Sequence, residues 1–154
     1  MPNNVTARIE SAPKRLSLAA LLAAGAVLIV LLLAQRADLR TLRSGNRTFK
    51  LEVAATADAQ AKGLGGRQSL PTNQGMLFTF NQSGTRCFWM KDMHFSLDIL
   101  WLDESRQVRH IEHNVLPGTY PHTFCPSVPA RYVIELPAGQ AKATGIHDGQ
   151  QLSF

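Results

Sequence analysis

Hydrophobic and polar positions divide the chain into one unbroken apolar run and a set of short alternating runs. Leu16 to Ala34 is apolar apart from Ser17, with Lys14 and Arg15 before it and Arg36 after it. As a helix these nineteen residues would extend roughly 28 Å, about the thickness of a bilayer's hydrocarbon. The run stays rich in Leu and Val up to Leu33, and Ala34-Gln35-Arg36 makes a poor cleavage site. Secretory h-regions are shorter and end at small residues. Residues 16–34 are therefore read as an uncleaved transmembrane anchor, with 1–15 as a tail and 35–47 as a polar, basic juxtamembrane linker. A long cleaved signal is the alternative.

Beyond position 47 the period falls to two. Phe49, Leu51 and Val53 alternate with Lys50 and Glu52, which predicts a strand over 48–54. Residues 56–62 are helix formers with Thr56 or Asp58 as a cap, and Gly63, Gly65 and Gly66 end that helix in a loop. Further strands are expected at 76–80, 107–113, 132–136 and 149–154, and a second short helix over 138–146. Residues 114–130 carry four prolines and read as a long loop. The chain centres on Arg86 to Asp103, RCFWMKDMHFSLDILWLD, which holds both tryptophans. Its alternation from Phe95 to Asp98 lapses into ILWL, as in a strand whose two faces become covered. The expected fold over 48–154 is mainly β, a small β-sandwich or barrel with two short helices, preceded by one N-terminal transmembrane helix.

The net charge of +5 changes meaning once it is divided. Residues 1–45 hold six Lys/Arg against Glu10 and Asp38, whereas residues 46–154 hold ten against nine acidic residues. The basicity flanks the anchor, where it would meet a lipid bilayer. The folded part is nearly neutral, which argues against a nucleic-acid partner. Positive charge on both sides of the anchor leaves its orientation open. The short tail favours an extracytoplasmic domain.

The motifs GLGGRQSLPTNQGMLFTF, CFWMKDMHFSLDILWLD and PARYVIELPAGQAKATGIHDGQ resemble domain-of-unknown-function family 192 over about residues 48–154. The resemblance implies a mainly β, jelly-roll-like or barrel-like domain, often secreted or membrane-anchored, and it supplies no activity. Two positions depart from the family pattern. Gly65 stands where a large apolar residue is usual, implying a looser helix-to-loop junction. Asp92 stands where Asn is usual and adds a charge beside Lys91.

Arg67, Lys91, Asp98, Arg131 and Glu135 match charged positions of the family motifs, and Trp89 sits among them. Charged groups beside aromatic rings are rarely buried unless paired. In one reading, Lys91 or Arg131 pairs with Asp98 or Glu135 and the set is structural. In the other, Arg67, Lys91 and Arg131 face a small anionic or envelope ligand and Trp89 stacks on it. Glu135, between Ile134 and Leu136, is expected to face solvent. The histidines share no metal-ligand spacing, no phosphate loop follows a strand, and no cofactor is implied.

Cys87 and Cys125 are the only cysteines. In an oxidising compartment a lone pair is more often bridged than free, and a disulfide here would pin the 114–130 loop over the aromatic corner. Two core thiols are the alternative. The sequence supports a membrane-tethered binding or accessory module of the cell envelope. An envelope hydrolase or transferase using the charged-aromatic corner, or a structural or assembly element, stand as alternatives.

Overall fold

The computed structural model describes Leu22, Ala23 and residues 38–154. The predicted anchor at 16–34 lies outside the described residues, apart from the helical pair Leu22 and Ala23. No helix among the described residues is long and apolar enough to cross a membrane. In chain order the folded part runs β1 (Leu39–Ser44), β2 (Arg47–Ala54), α1 (Ala57–Lys62), β3 (Gln74–Gly84), β4 (Phe88–Trp89) and β5 (Leu97–Leu102). There follow β6 (Val108–Val115), a 3-10 turn (Pro117–Thr119), β7 (Thr123–Phe124), β8 (Ala130–Pro137) and α2 (Gln140–Ala143).

Six strands form one sheet in the order β1-β2-β3-β8-β5-β6, and β4 and β7 form a separate pair. All neighbours are antiparallel except β2 and β3. A parallel pair requires a crossover, and α1 supplies it. Thr56 caps α1 by accepting from the Ala59 N–H at 3.2 Å. The Gln60 amide donates to Thr79 O at 2.8 Å and Ala54 O at 3.3 Å, pinning the helix to β2 and β3.

The mainly β reading with two short helices holds, but the sheet is open and no barrel closes. A barrel abolishes edges by pairing first strand with last; among the described residues β1 and β6 do not pair, and each face of the sheet is covered by other segments. On one face Leu42, Leu51, Leu77, Leu100, Ile134 and Leu136 pack under α2, Ile146 and Leu152. On the other, Met76, Phe78, Ile99, Trp101 and Val133 pack under Leu64 and Met90. All six residues of β5 are buried for this reason, Asp98 included. The predicted strand at 149–154 is reduced to a single bridge, Gln107 to Gln151. The turn that precedes it takes Gly149 to φ +83°, and Leu152 is buried in the core from there.

The predicted linker also changes. Residues 39–44 form β1, paired residue for residue with β2 through a two-residue Gly45-Asn46 turn. Gly45 takes φ +55°, the left-handed conformation such hairpins demand. Leu42 is fully buried, and the Ser44 hydroxyl donates to Thr144 O at 3.2 Å. Arg40 and Arg43 stay exposed on this edge, where charge discourages pairing with a second sheet. Gly75 lies inside β3; a Cβ there would meet Glu135 O at 2.6 Å.

A chain beginning at Gly45 is expected to melt below one beginning at Asp38, since Phe49 and Leu51 lose the strand that covers their edge. Leu42→Ala should cost about 2–5 kcal/mol in urea unfolding. Trp101→Ala, which empties a fully buried site, should cost about 3–5 kcal/mol. Trp89→Ala should cost roughly 1 kcal/mol or less, its side being half exposed.

Candidate functional site

The loop leaving α1 and the aromatic corner face each other across a cleft of about 230 Å³. The loop is held tightly. Gly65 passes so close to its neighbours that a Cβ would lie 3.0 Å from Lys62 O and 3.3 Å from Lys91 O. The Gly66 N–H donates to Asp92 O at 2.8 Å. A side chain at Gly65 would press on the carbonyls of Lys62 and Lys91, and neighbouring Leu64 supplies the buried apolar side chain. Asp92 takes φ +57°, a conformation Asn and Asp tolerate better than most residues.

The opposite wall is β4, paired with β7 as Phe88 to Phe124 and Trp89 to Thr123. Beside this ladder Cys87 and Cys125 form a disulfide with their Cα atoms 4.3 Å apart. Closing a 38-residue separation contributes about 4 kcal/mol by the chain-entropy argument. The Phe88 ring meets Phe78 and Trp101 edge to face, at centroid distances of 4.8 Å and 5.8 Å. Trp101 is the core tryptophan, and its indole N–H donates to Arg86 O at 2.7 Å. Trp89 is 47% exposed and lines the cleft.

Glu135 also lines the cleft, from β8. Its strand register sets it opposite Met76 and Ile99. The expectation that it faces solvent fails because both faces of this central strand are covered. Glu135 is 5% exposed, and its Oε2 has no hydrogen-bond partner. Gly63 lies directly above: a Cβ there would be 4.0 Å from that oxygen. Burial pushes the Glu135 carboxyl up to about 8, against an opposing pull from Arg67.

Arg67 is engaged elsewhere. Its guanidinium forks onto Glu52 at 2.6 Å and 2.8 Å. That hydrogen-bonded pairing holds the Glu52 carboxyl below its ordinary range and Arg67 above its own. Asp98, on the other face of the sheet, accepts from the Ala141 N–H at 2.9 Å and the Asn114 N–H at 3.0 Å. It caps α2 from a distance, because Gly139 at the N-cap has no side chain to do so. Arg131 does not line the cleft. Its guanidinium lies 6.0 Å from the Tyr132 ring centroid, and its Nη1 is buried without a partner.

The six charged or aromatic residues singled out by sequence thus divide. Trp89, Lys91 and Glu135 come together at the cleft; Arg67 stands beside it, tied to Glu52; Asp98 and Arg131 do not join. The expected pairs of Lys91 or Arg131 with Asp98 or Glu135 are not formed among the described residues. Sequence reasoning missed Lys62, Gly63, Leu64 and Phe88 as cleft residues. The GLGG tract was the available signal for Gly63 and Leu64. Among the described residues no group of three or more His, Cys, Asp or Glu side chains is placed to hold a metal.

Residues 40–154 match the sequence profile of DUF192, described as an uncharacterised family. The chain belongs to the DUF192 family. Two solved structures share its fold. One is a putative transcription regulator from Sinorhizobium meliloti, 26% identical, with a TM-score of 0.72 over 76% of this chain and 94% of that one. The other is a protein of unknown function from Novosphingobium aromaticivorans, 27% identical, with a TM-score of 0.72 over 78% and 88% respectively. Comparison with curated proteins gives no match.

The raised Glu135 carboxyl sets a pH dependence for this DUF192 domain. Between about 4.5 and about 8 the folded chain keeps a proton that the unfolded chain releases. Stability should therefore fall as pH rises through that window, by at most about 1.4 kcal/mol per pH unit, and level off above it. In Glu135→Gln the decline should vanish, leaving the variant the more stable protein at alkaline pH. Urea titrations across the window check this; the same slope in both proteins would refute a buried, proton-bearing Glu135.

Proposed function

We propose that this DUF192 protein is a binding or accessory module of the cell envelope that takes a small ligand in the cleft between the Gly63 loop and Trp89. The observation that carries the reading is Glu135, which lines the cleft and whose buried Oε2 has no partner, 4.0 Å from where a Cβ on Gly63 would stand. Buried polar groups are ordinarily hydrogen-bonded, and one left unpaired in a cleft is a place for a ligand atom. Half-exposed Trp89 and exposed Lys91 complete a site with a flat apolar surface and a charge at its rim.

Residues 16–34 are the proposed tether, single-pass, with the domain extracytoplasmic. The bridged pair Cys87 and Cys125 supports an oxidising compartment. The Sinorhizobium structure is named as a putative transcription regulator. The near balance of acidic and basic residues over 46–154 argues against a DNA footprint for this one. A second reading, an envelope hydrolase or transferase, draws on the same Glu135, since a carboxyl that titrates near 8 can deliver a proton at neutral pH. Cys87, which also lines the cleft, offers no thiol nucleophile, because it is held in the disulfide.

A thermal-shift ligand screen on residues 38–154 tests the site. A ligand at 100 times its Kd should add about 2.7 kcal/mol. Trp89→Ala should abolish the shift while leaving the unliganded melt nearly unchanged. Hits whose shift survives in Trp89→Ala would place binding elsewhere. The tether is tested in the full chain, which should stay in membranes through a carbonate wash and carry an active periplasmic phosphatase at its carboxyl end.

A further inference from the structure

The cleft presents hydrogen-bond donors and one flat surface, and these limit what it accepts. Its about 230 Å³ falls below the range of roughly 300–1,000 Å³ typical of sites for drug-sized ligands. One ring fits such a volume; an extended chain does not. Trp89 offers half of its surface as a wall for that ring, and Leu64 and Phe88 add apolar lining.

The charges point one way. Three titratable groups line the cleft: Lys62 from α1, Lys91 from the turn after β4, and Glu135 from β8. Behind them Arg67 and Glu52 neutralise each other through both guanidinium nitrogens. Glu135 retains its proton at neutral pH, so its carboxyl donates, and the strongest acceptor for an acid O–H is a carboxylate oxygen. Lys62 and Lys91 are exposed ammonium groups with no salt-bridge partner among the described residues. An amine ligand would have to ionise Glu135 and pass two cations. A neutral ligand would leave both ammonium groups unused.

We infer that the cleft binds a single-ring carboxylate, with the ring on Trp89 and the carboxylate between Glu135 and the two lysines. This rests on the binding reading above and names its ligand class. Two sources share the chemistry, an acidic sugar and an aromatic acid.

The test is calorimetric titration of the full-length protein in detergent with two matched sets: glucuronate, glucose and glucosamine; benzoate, benzyl alcohol and benzylamine. One carboxylate should bind at least about tenfold more tightly than its alcohol and amine partners, and the set in which this happens identifies the source. Lys91→Met should weaken that carboxylate about tenfold. Raising the pH through the Glu135 titration should weaken it too, because the donor becomes a like charge. In Glu135→Gln, whose amide still donates, binding should persist and this pH dependence should disappear. An alcohol or amine that binds as tightly as the carboxylate, with binding still lost in Trp89→Ala, would overturn the ligand class and leave the cleft reading intact. Carboxylate binding indifferent to both Trp89→Ala and Lys91→Met would overturn the assignment to this cleft. Silence from all six probes would overturn the ring carboxylate; the cleft reading fails separately, on the thermal-shift screen.

Discussion

The parallel pairing of β2 with β3 shapes everything that follows it. Two adjacent parallel strands cannot be joined by a hairpin, so the chain must leave the sheet, cross one face and return. Here the crossing is α1 and the glycine loop, and the return begins at Gln74. The crossover covers the face that carries Met76, Phe78, Ile99 and Trp101. α2 and the carboxyl-terminal residues cover the other. With both faces closed, residues of β5 and β8 are buried regardless of parity, and a carboxylate on either strand must be accommodated.

Asp98 and Glu135 show two outcomes of that constraint. They lie on neighbouring strands, pointing to opposite faces. Asp98 meets two backbone N–H groups, from Asn114 and Ala141. A charged acceptor with two such donors fixes α2 and the end of β6 in place. Glu135 meets none at Oε2, because the segment above it turns at Gly63 and supplies no donor. It is kept neutral by burial instead. A buried carboxyl is thus a structural clamp on one face and an unpaired acceptor on the other.

The sequence made much of the secondary structure legible, because local patterns carried it. Thr56 capped the helix as its spacing implied, the 48–54 alternation became β2, and the two cysteines bridged. What it hid depended on the third dimension. Leu42 stands alone among Thr41, Arg40, Arg43 and Ser44, so no periodicity marks β1; Gly45-Asn46 was the sign of a hairpin, and only the partner strand gives it meaning. Glu135 between Ile134 and Leu136 reads as solvent-facing in any half-buried strand, and the reading fails when the second face is covered. Trp89 and Trp101 share one apolar tract, and no local rule separates the exposed ring from the core ring. Arg67 was visible as a charge, but its partner Glu52 lies two elements away.

A carboxyl at position 135 is not what packing alone would select. A methionine or leucine there would remove an unpaired polar atom that costs about 1–3 kcal/mol, and the surrounding residues, Met76, Phe78 and Ile99 among them, are already apolar. Gly63 above it is set by the backbone, since the C-cap of α1 takes φ +50°, and a side chain there would also meet Phe78 at 3.4 Å. The two thus differ in origin: the glycine serves the backbone, and only the carboxyl is unfavourable to stability. Around them the chain spends rigidity freely: a disulfide, a two-stranded ladder and the bond from the Gly66 N–H to Asp92 O hold the walls. Rules of packing are broken in native proteins mainly where function requires it, and the supporting structure compensates. Rigid walls around an unpaired buried carboxyl are the arrangement on which the proposed ligand reading rests.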